Sequence, residues 1–192
     1  MEIIIHRINK IKELKKISNK YGVEIDIRTD GSKLILNHEA FTKGDRLIDY
    51  IENYKHKTLV LNIKEAGIEN EVLKVVKSFS IKSFFLLDVE MPYIYSATKK
   101  GQKNIAVRFS EYEDIAIAKQ FKNKLNWIWI DTATKLPINK KNVIMIKNFK
   151  SCLVCPERWG RIKDIIKYKN IMKKLNFYPN AVMTSYDCLK YW

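Results

Sequence analysis

The sequence contains few of the residues that mark disordered, disulfide-bonded or membrane-spanning chains. Its 192 residues include six Gly, four Pro and three Cys, which argues against a low-complexity chain and against a framework of paired disulfides. Its apolar runs, such as residues 84–87, are far shorter than the roughly 20 residues that cross a bilayer. Because His6 and Arg7 interrupt the first apolar stretch, no secretory signal is predicted. We therefore expect a soluble, cytoplasmic protein.

Acidic residues are also scarce relative to basic ones. The chain has 36 Lys and Arg against 21 Asp and Glu, a net charge of +15, which can attract nucleic acid, anionic lipid or phosphorylated substrates. The lysines are spread through segments such as residues 10–20 and 163–174, where they alternate with Ile and Leu. This spread is typical of solvated helix faces, so nucleic acid is an unfavoured partner.

The three cysteines do not indicate a redox or zinc site. Cys152 and Cys155 lie in an apolar, strand-like run and not at a helix start, where a thiolate would be stabilised. A structural zinc site needs further soft ligands, which the sequence does not supply near them.

The chain does contain a regular alternation of short apolar runs and amphipathic stretches. Strands are predicted at residues 2–6, 23–29, 58–64, 83–89, 104–109, 126–131, 151–155 and 180–184. Helices are predicted at residues 9–21, 45–54, 70–79, 112–123, 139–149 and 161–175, and residues 92–101 allow only a short one. A further strand at residues 33–37 follows the turn signal Asp30-Gly31.

This rhythm predicts an α/β fold with mainly parallel strands, because parallel neighbours need crossover connections. The number of repeats favours a compact (β/α)8 TIM-type barrel. An open doubly wound sheet is the alternative, since the chain is shorter than most barrels. No linker interrupts the pattern, so we predict a single domain over residues 1–192.

Polar residues close several of the predicted strands. They are His6-Arg7, Glu24-Ile-Asp26-Ile-Arg28, Asn62-Ile-Lys64, Asp88, Arg108 and Asp131. In parallel α/β folds the carboxyl ends of strands converge on the ligand site. Glu24 and Asp26 alternate with aliphatic residues and so share one strand face. Two carboxylates there would repel each other without a cation. Mg²⁺ and Ca²⁺ are hard cations that prefer oxygen ligands, so either of them is the expected metal.

Two of the three histidines also close strands. His6 ends the first predicted strand, and His38 ends the short strand after the Asp30-Gly31 turn, beside Glu39. Each alone is more typical of a structural histidine. A pair at strand ends can share acid and base roles near neutral pH.

The order His6-Arg7, Glu24-Ile-Asp26, Thr29-Asp30-Gly31 and His38-Glu39 resembles the opening of the glycerophosphodiester phosphodiesterase family. The clearest motifs cover about the first 65 residues, and the strand rhythm extends the similarity more weakly. The resemblance implies a (β/α)8 barrel that hydrolyses phosphodiesters with a divalent metal. It implies an acid–base pair of His6 and His38, with Glu24 and Asp26 as metal ligands.

The family also has a Glu-x-Lys strand, which here reads Asn62-Ile63-Lys64. By resemblance Asn62 is the third metal ligand, although an amide carries no charge, so Asp88 and Asp131 are alternatives. Arg7 and Lys64 would hold phosphate oxygens, and Arg108 is a further phosphate candidate. Ile8 stands where the family has Gly.

The predicted function is therefore metal-dependent hydrolysis of a small phosphodiester, of the glycerophosphodiester, polyol or sugar type. Two alternatives from other classes stay open. One is a catalytically degenerate barrel that binds phosphorylated ligands, supported by Asn62. The other is a basic nucleic-acid-binding module, supported by net charge alone.

Overall fold

The structure is a computed structural model and describes all residues from Met1 to Trp192. Its strands are β1 Glu2–Ile5, β2 Gly22–Asp30, β3 Lys33–Leu36, β4 Asp45–Arg46, β5 Leu59–Ile63, β6 Phe84–Leu87, β7 Ala106–Phe109, β8 Trp127–Ile130, β9 Lys150–Val154 and β10 Ala181–Thr184. Its α-helices are α1 Ile11–Leu14, α2 Leu47–Glu52, α3 Glu69–Ser78, α4 Met91–Lys99, α5 Ile115–Gln120, α6 Val143–Ile146 and α7 Asp164–Lys174. Two 3₁₀-helices cover Pro156–Trp159 and Tyr186–Tyr191.

All of the strands that the sequence predicts are present. The eight strands of the βα rhythm are β1, β2 and β5 to β10, and the further strand after Asp30-Gly31 is β3. The sequence pattern did not predict the two-residue strand β4. Every residue of β5, β6, β8 and β10 is buried, as expected where a parallel sheet is covered on both faces.

The helices differ more from their predicted lengths. Residues 9–21 bury Leu14 and Ile17 as the pattern predicts, but only α1 is helical. Lys10 provides no side-chain cap for α1. Instead, Asp45 Oδ2 accepts a hydrogen bond from the backbone N–H of Ile11 at 2.7 Å. In contrast, α4 is longer than expected, because Pro92 lies in the first helical turn, where a missing N–H costs no hydrogen bond.

The chain divides into two compact units, and the single domain predicted for residues 1–192 stays a prediction. The N-terminal unit is Ile5–Tyr95, and the C-terminal unit is Ser96–Trp192 with Met1–Ile4. In the N-terminal unit, β2 pairs in parallel with β5, which pairs in parallel with β6. On its other side β2 forms an antiparallel ladder with β3, which continues to β4. The long strand β2 is therefore central to this unit.

The C-terminal unit contains a parallel series β7-β8-β9-β10. Trp127 and Trp129 of β8 are both buried and belong to the core. None of the helices in either unit has the length and apolar character needed to span a membrane.

Candidate functional site

Most of the predicted site residues belong to the N-terminal unit. Glu24 and Asp26 lie within β2, and Asn62 lies within β5, where it is directly opposite Asp26 in the parallel ladder. Lys64 follows β5, His38 follows β3 by two residues, and Asp88 follows β6. The sheet therefore brings together residues that are far apart in the sequence.

Glu24 and Asp26 form a buried acid pair. Each is only 1% exposed, so this face of β2 is not a solvated one. Glu24 Oε2 accepts a hydrogen bond from the backbone N–H of Arg7 at 2.8 Å, and Oε1 accepts one from Asn62 Nδ2 at 2.8 Å. Burial, followed by repulsion from Asp26, raises the pKa of Glu24 to about 7 in spite of these bonds. The charged form of Glu24 is thus disfavoured in this buried position.

Arg7 adopts an unusual backbone conformation next to this pair. Its φ is +55°, in the left-handed region that a bulky residue rarely occupies. This conformation places the Arg7 N–H against Glu24 while the Arg7 Nε lies 3.5 Å from Asp26 Oδ2. One residue therefore contacts both acids, through its backbone and through its side chain. Local strain of this kind is concentrated at functional sites.

Asp26 has a second partner that sequence reasoning missed, Asn9. The Asn9 side chain donates from Nδ2 to Asp26 Oδ2 at 2.9 Å and accepts from the Asp26 backbone N–H at 2.8 Å. Asn9 lies only two residues beyond the His6-Arg7 strand end. This closeness to the strand end was the only sign in the sequence that Asn9 belongs to the site. The helical pattern predicted for residues 9–21 obscured it.

Lys64 lies between two carboxylates. Its Nζ is 3.5 Å from Asp26 Oδ1 and 3.3 Å from Asp88 Oδ2. Asp88 also has a left-handed backbone, with φ of +57°, directly after β6. The Asp88 carboxylate therefore holds the Lys64 ammonium beside the acid pair, which favours Asn62 over Asp88 as a third ligand for an ion.

The two histidines have different surroundings. His6 is largely buried, and its Nε2 lies 3.8 Å from Glu24 Oε2. The His38 side chain is 36% exposed, and its Nδ1 lies 2.6 Å from Glu39 Oε1. The hydrogen bond with His38 is the main reason why the pKa of Glu39 is lowered. A carboxylate partner at Nδ1 fixes the ring orientation, as acid–base catalysis requires.

A cavity of about 660 Å³ adjoins His38 and Arg7. Most of its lining residues are polar or charged, among them Asn9, Lys43 and Asp45, and the exceptions are Leu36 and Gly44. The charged and amide side chains of this wall can bind a polar ligand.

The residues of this site fit a hard divalent cation. No cluster of three or more His, Cys, Asp or Glu side chains could hold a metal ion by itself, so the amide oxygen of Asn62 would be needed as a third ligand. That atom, Asn62 Oδ1, is buried and has no hydrogen-bond partner. Two buried carboxylates and an unpaired amide oxygen are oxygen donors of the kind that Mg²⁺ or Ca²⁺ prefers.

Arg108 and Asp131 lie in the C-terminal unit and bind each other. Arg108 Nη1 donates to Asp131 Oδ2 at 2.8 Å. The other oxygen, Asp131 Oδ1, accepts from the backbone N–H of Thr132 at 2.8 Å and from Trp159 Nε1 at 3.3 Å. The phosphate role of Arg108 and the metal role of Asp131 stay predictions.

Comparison with known proteins supports the fold. No protein-family model matches the sequence, and neither does any curated protein. A glycerophosphodiester phosphodiesterase from Agrobacterium tumefaciens str. C58 has a similar structure, with a TM-score of 0.67 and 11% identity over 98% of both chains. A glycerophosphoryl diester phosphodiesterase from Parabacteroides distasonis ATCC 8503 has a TM-score of 0.64 and 10% identity, over 95% of this chain and 81% of its own.

These similarities confirm the predicted fold class, an α/β fold of the TIM-type barrel class with mainly parallel strands. The resemblance first noted in the opening motifs is therefore confirmed at the level of the fold. Only 11% and 10% of the residues are identical in the two comparisons, so the resemblance is established for the fold alone.

Proposed function

We propose that the protein is a metal-dependent phosphoric diester hydrolase that acts on a small glycerophosphodiester, polyol or sugar phosphodiester in the cytoplasm. The observation that carries the proposal is the buried acid pair of Glu24 and Asp26, with cations and a histidine around it. Solved phosphodiesterases share the fold over nearly the whole chain. Burying two acids lowers the stability of the folded protein, since burial disfavours their charged forms. A catalytic use would explain why the pair is present.

Charge neutralisation is the first requirement of the reaction, because a phosphodiester is an anion and resists attack. Arg7 and Lys64 lie at 3.5 Å from Asp26, and in this proposal they bind the nonbridging oxygens of the phosphate. When bound to Glu24, Asp26 and Asn62, a divalent ion supplies Lewis-acid stabilisation of phosphoryl oxygen.

Proton transfer is the second requirement. One of His6 and His38 takes a proton from water, or from a neighbouring substrate hydroxyl that attacks the phosphorus internally. The other gives a proton to the departing alkoxide. Glu39 orients the His38 ring through Nδ1 and leaves Nε2 for this exchange. The polar cavity beside His38 would hold one of the alcohol groups.

The test is hydrolysis of a panel of phosphodiesters, including glycerophosphodiesters and a chromogenic diester. The panel is run with Mg²⁺, Ca²⁺, Mn²⁺ or a chelator, for the wild type and for His6→Ala and His38→Ala. We expect turnover that needs a divalent ion and that falls by about 10²–10⁴-fold in each histidine variant. His56→Ala is the matched control, because His56 bonds the backbone carbonyl of Ile17 and not the acid pair.

Unchanged turnover in His6→Ala or His38→Ala would remove that residue from the proposed acid–base pair. Turnover that persists in chelator would contradict the metal requirement but not the diesterase activity.

A specific observation also favours the second candidate, a barrel that binds phosphorylated ligands without hydrolysing them. The amide of Asn62 donates to Glu24, and the ammonium of Lys64 is beside Asp26. Both acids therefore have internal partners. Folded wild-type protein that binds inorganic phosphate, but neither binds a divalent ion nor hydrolyses any member of the panel, would support this candidate.

A further inference from the structure

Arg28 occupies a special position at the carboxyl end of β2. It lies two residues beyond Asp26 and therefore on the same face of the strand. Its hydrogen bonds nevertheless go to two backbone carbonyls and not to the carboxylates of β2. Its Nε donates to the backbone carbonyl of His38 at 3.1 Å, and its Nη1 donates to the backbone carbonyl of Lys64 at 3.1 Å.

These two carbonyls belong to chain segments on opposite sides of β2. The segment with His38 leaves β3, and the last main-chain bond that holds it to β2 runs from the Asn37 N–H to the Asp26 carbonyl, at 3.1 Å. The segment with Lys64 leaves β5, and its own N–H bonds the Ile27 carbonyl at 3.0 Å. Arg28 connects the two segments just beyond the end of the ladders.

We propose that Arg28 is a positioning residue, which fixes His38 and Lys64 on either side of Asp26 by holding their backbone carbonyls. This inference rests on the proposed function, in which His38 transfers a proton and Lys64 binds the phosphate. A planar guanidinium offers donors in several fixed directions, so one side chain reaches both carbonyls at once. An ammonium or an amide in its place cannot reproduce both bonds with the same geometry.

Charge contributes to the same arrangement. The positive charges of Arg7 and Arg28 add to the effect of His38 in lowering the pKa of Glu39, and Glu39 is the residue that bonds the His38 ring. Arg28 thus holds the backbone carbonyl of His38. It also favours the charged form of Glu39, the residue that bonds the His38 ring.

The experiment compares Arg28→Lys and Arg28→Gln with the wild type. Arg46→Gln is the matched control, because Arg46 belongs to the same unit and is 53% exposed, with only a distant partner in Asp49 at 4.0 Å. We expect both Arg28 variants to lose about 10²-fold in kcat, since small displacements of reacting groups cost that much. KM should rise by less than kcat falls, because Arg28 makes no hydrogen bond to Arg7, which still binds the phosphate after Lys64 is displaced. Arg46→Gln should have wild-type kinetics.

Arg28→Lys is decisive, because it keeps the charge. Full activity in Arg28→Lys would mean that charge alone matters and would overturn the positioning role. The thermal midpoints of Arg28→Lys and the wild type are also compared. Equal midpoints would show that a lower kcat in the variant does not come from unfolding.

A second measurement makes the inference independent of turnover. In protein labelled with ¹⁵N at histidine, we expect the ring signals of His38 to shift in Arg28→Lys and to stay unchanged in Arg46→Gln. If the wild type hydrolyses no diester, the proposed function fails, and this spectrum still decides about Arg28. Unchanged His38 signals in both Arg28 variants would overturn the inference whether or not the enzyme is active.

Discussion

At the scale of single residues, the candidate site is a compromise between burial and charge. Glu24 and Asp26 are almost completely buried on one strand face, and the donors around them do not fully compensate for that burial. A raised pKa at Glu24 means that its charged form is disfavoured in the folded protein. The same imbalance that would attract a divalent ion therefore lowers stability in the absence of the ion.

The raised pKa of Glu24 makes the stability of the fold depend on pH. The folded value is about 7, whereas the ordinary value is 4.5. Between these pH values the folded state binds more protons than the unfolded state, so this group makes unfolding easier as pH rises. We expect the free energy of unfolding in chelator to decline from pH 4.5 to pH 7 more steeply for the wild type than for Glu24→Gln. Urea denaturation at several pH values measures both slopes.

Glu71→Gln is the control for that prediction, because Glu71 is exposed and pairs only with Lys74 on the same helix. Its slope should equal that of the wild type. If Glu24→Gln also has the wild-type slope, Glu24 is not the group responsible.

Asn62 is the uncharged member of the proposed set of metal ligands. In Asn62→Asp a third carboxylate joins Glu24 and Asp26, and the hydrogen bond from Nδ2 to Glu24 is lost. We expect tighter binding of Mg²⁺ or Ca²⁺, because ligand charge raises the affinity for hard cations. We also expect a lower thermal midpoint in chelator, since one more buried charge is left without a counter-charge. Calorimetric titration and thermal melts with and without the ion check both parts. Weaker binding of both ions to the variant would exclude Asn62 as a ligand.

At the scale of elements, the sequence was sufficient for the strands but not for the ends of the helices. Short aliphatic runs such as the one in β5 identify buried parallel strands by themselves, because both faces must be apolar. Helix ends depend on partners that are distant in sequence. Asp45, 34 residues away in the sequence, accepts a hydrogen bond from the first N–H of α1. Asn9 lies outside the helix predicted to contain it and donates a hydrogen bond to Asp26. Local periodicity contains no information about either contact.

Helix α5 shows a boundary that a local residue does set. Asp114 precedes the helix, and its side chain accepts from the backbone N–H of Ala116 at 2.7 Å. We expect Asp114→Ala to lower the free energy of unfolding by about 0.5–2 kcal/mol, whereas Asp114→Asn should retain most of the stability. Chemical denaturation measures both variants. Equal losses in the two would show that the cap contributes little.

At the scale of the whole molecule, charge and fold lead to different expectations about partners. The net charge of +15 would suit a nucleic-acid-binding protein, yet the chain shares its fold with two solved glycerophosphodiester phosphodiesterases and its site cations lie beside acids. The similarity of the fold was readable from the strand rhythm and the opening motifs. The contacts of Asn9 and Arg28 were not, because hydrogen bonds between separate strand ends leave no pattern in a single sequence.

The diffuse charge makes a final prediction possible. We expect any binding of duplex DNA to be weak, without sequence preference and steeply dependent on salt, because such binding would come only from the release of counterions by scattered lysines. Lys64→Gln should bind DNA like the wild type, since one lysine engaged with Asp26 and Asp88 contributes little to that total. The same variant should lose affinity for inorganic phosphate. Fluorescence anisotropy of labelled DNA over a range of salt concentrations, with a parallel phosphate titration, separates the two. Sequence-selective DNA binding that resists salt would contradict the assignment of the charge to solvated helix faces.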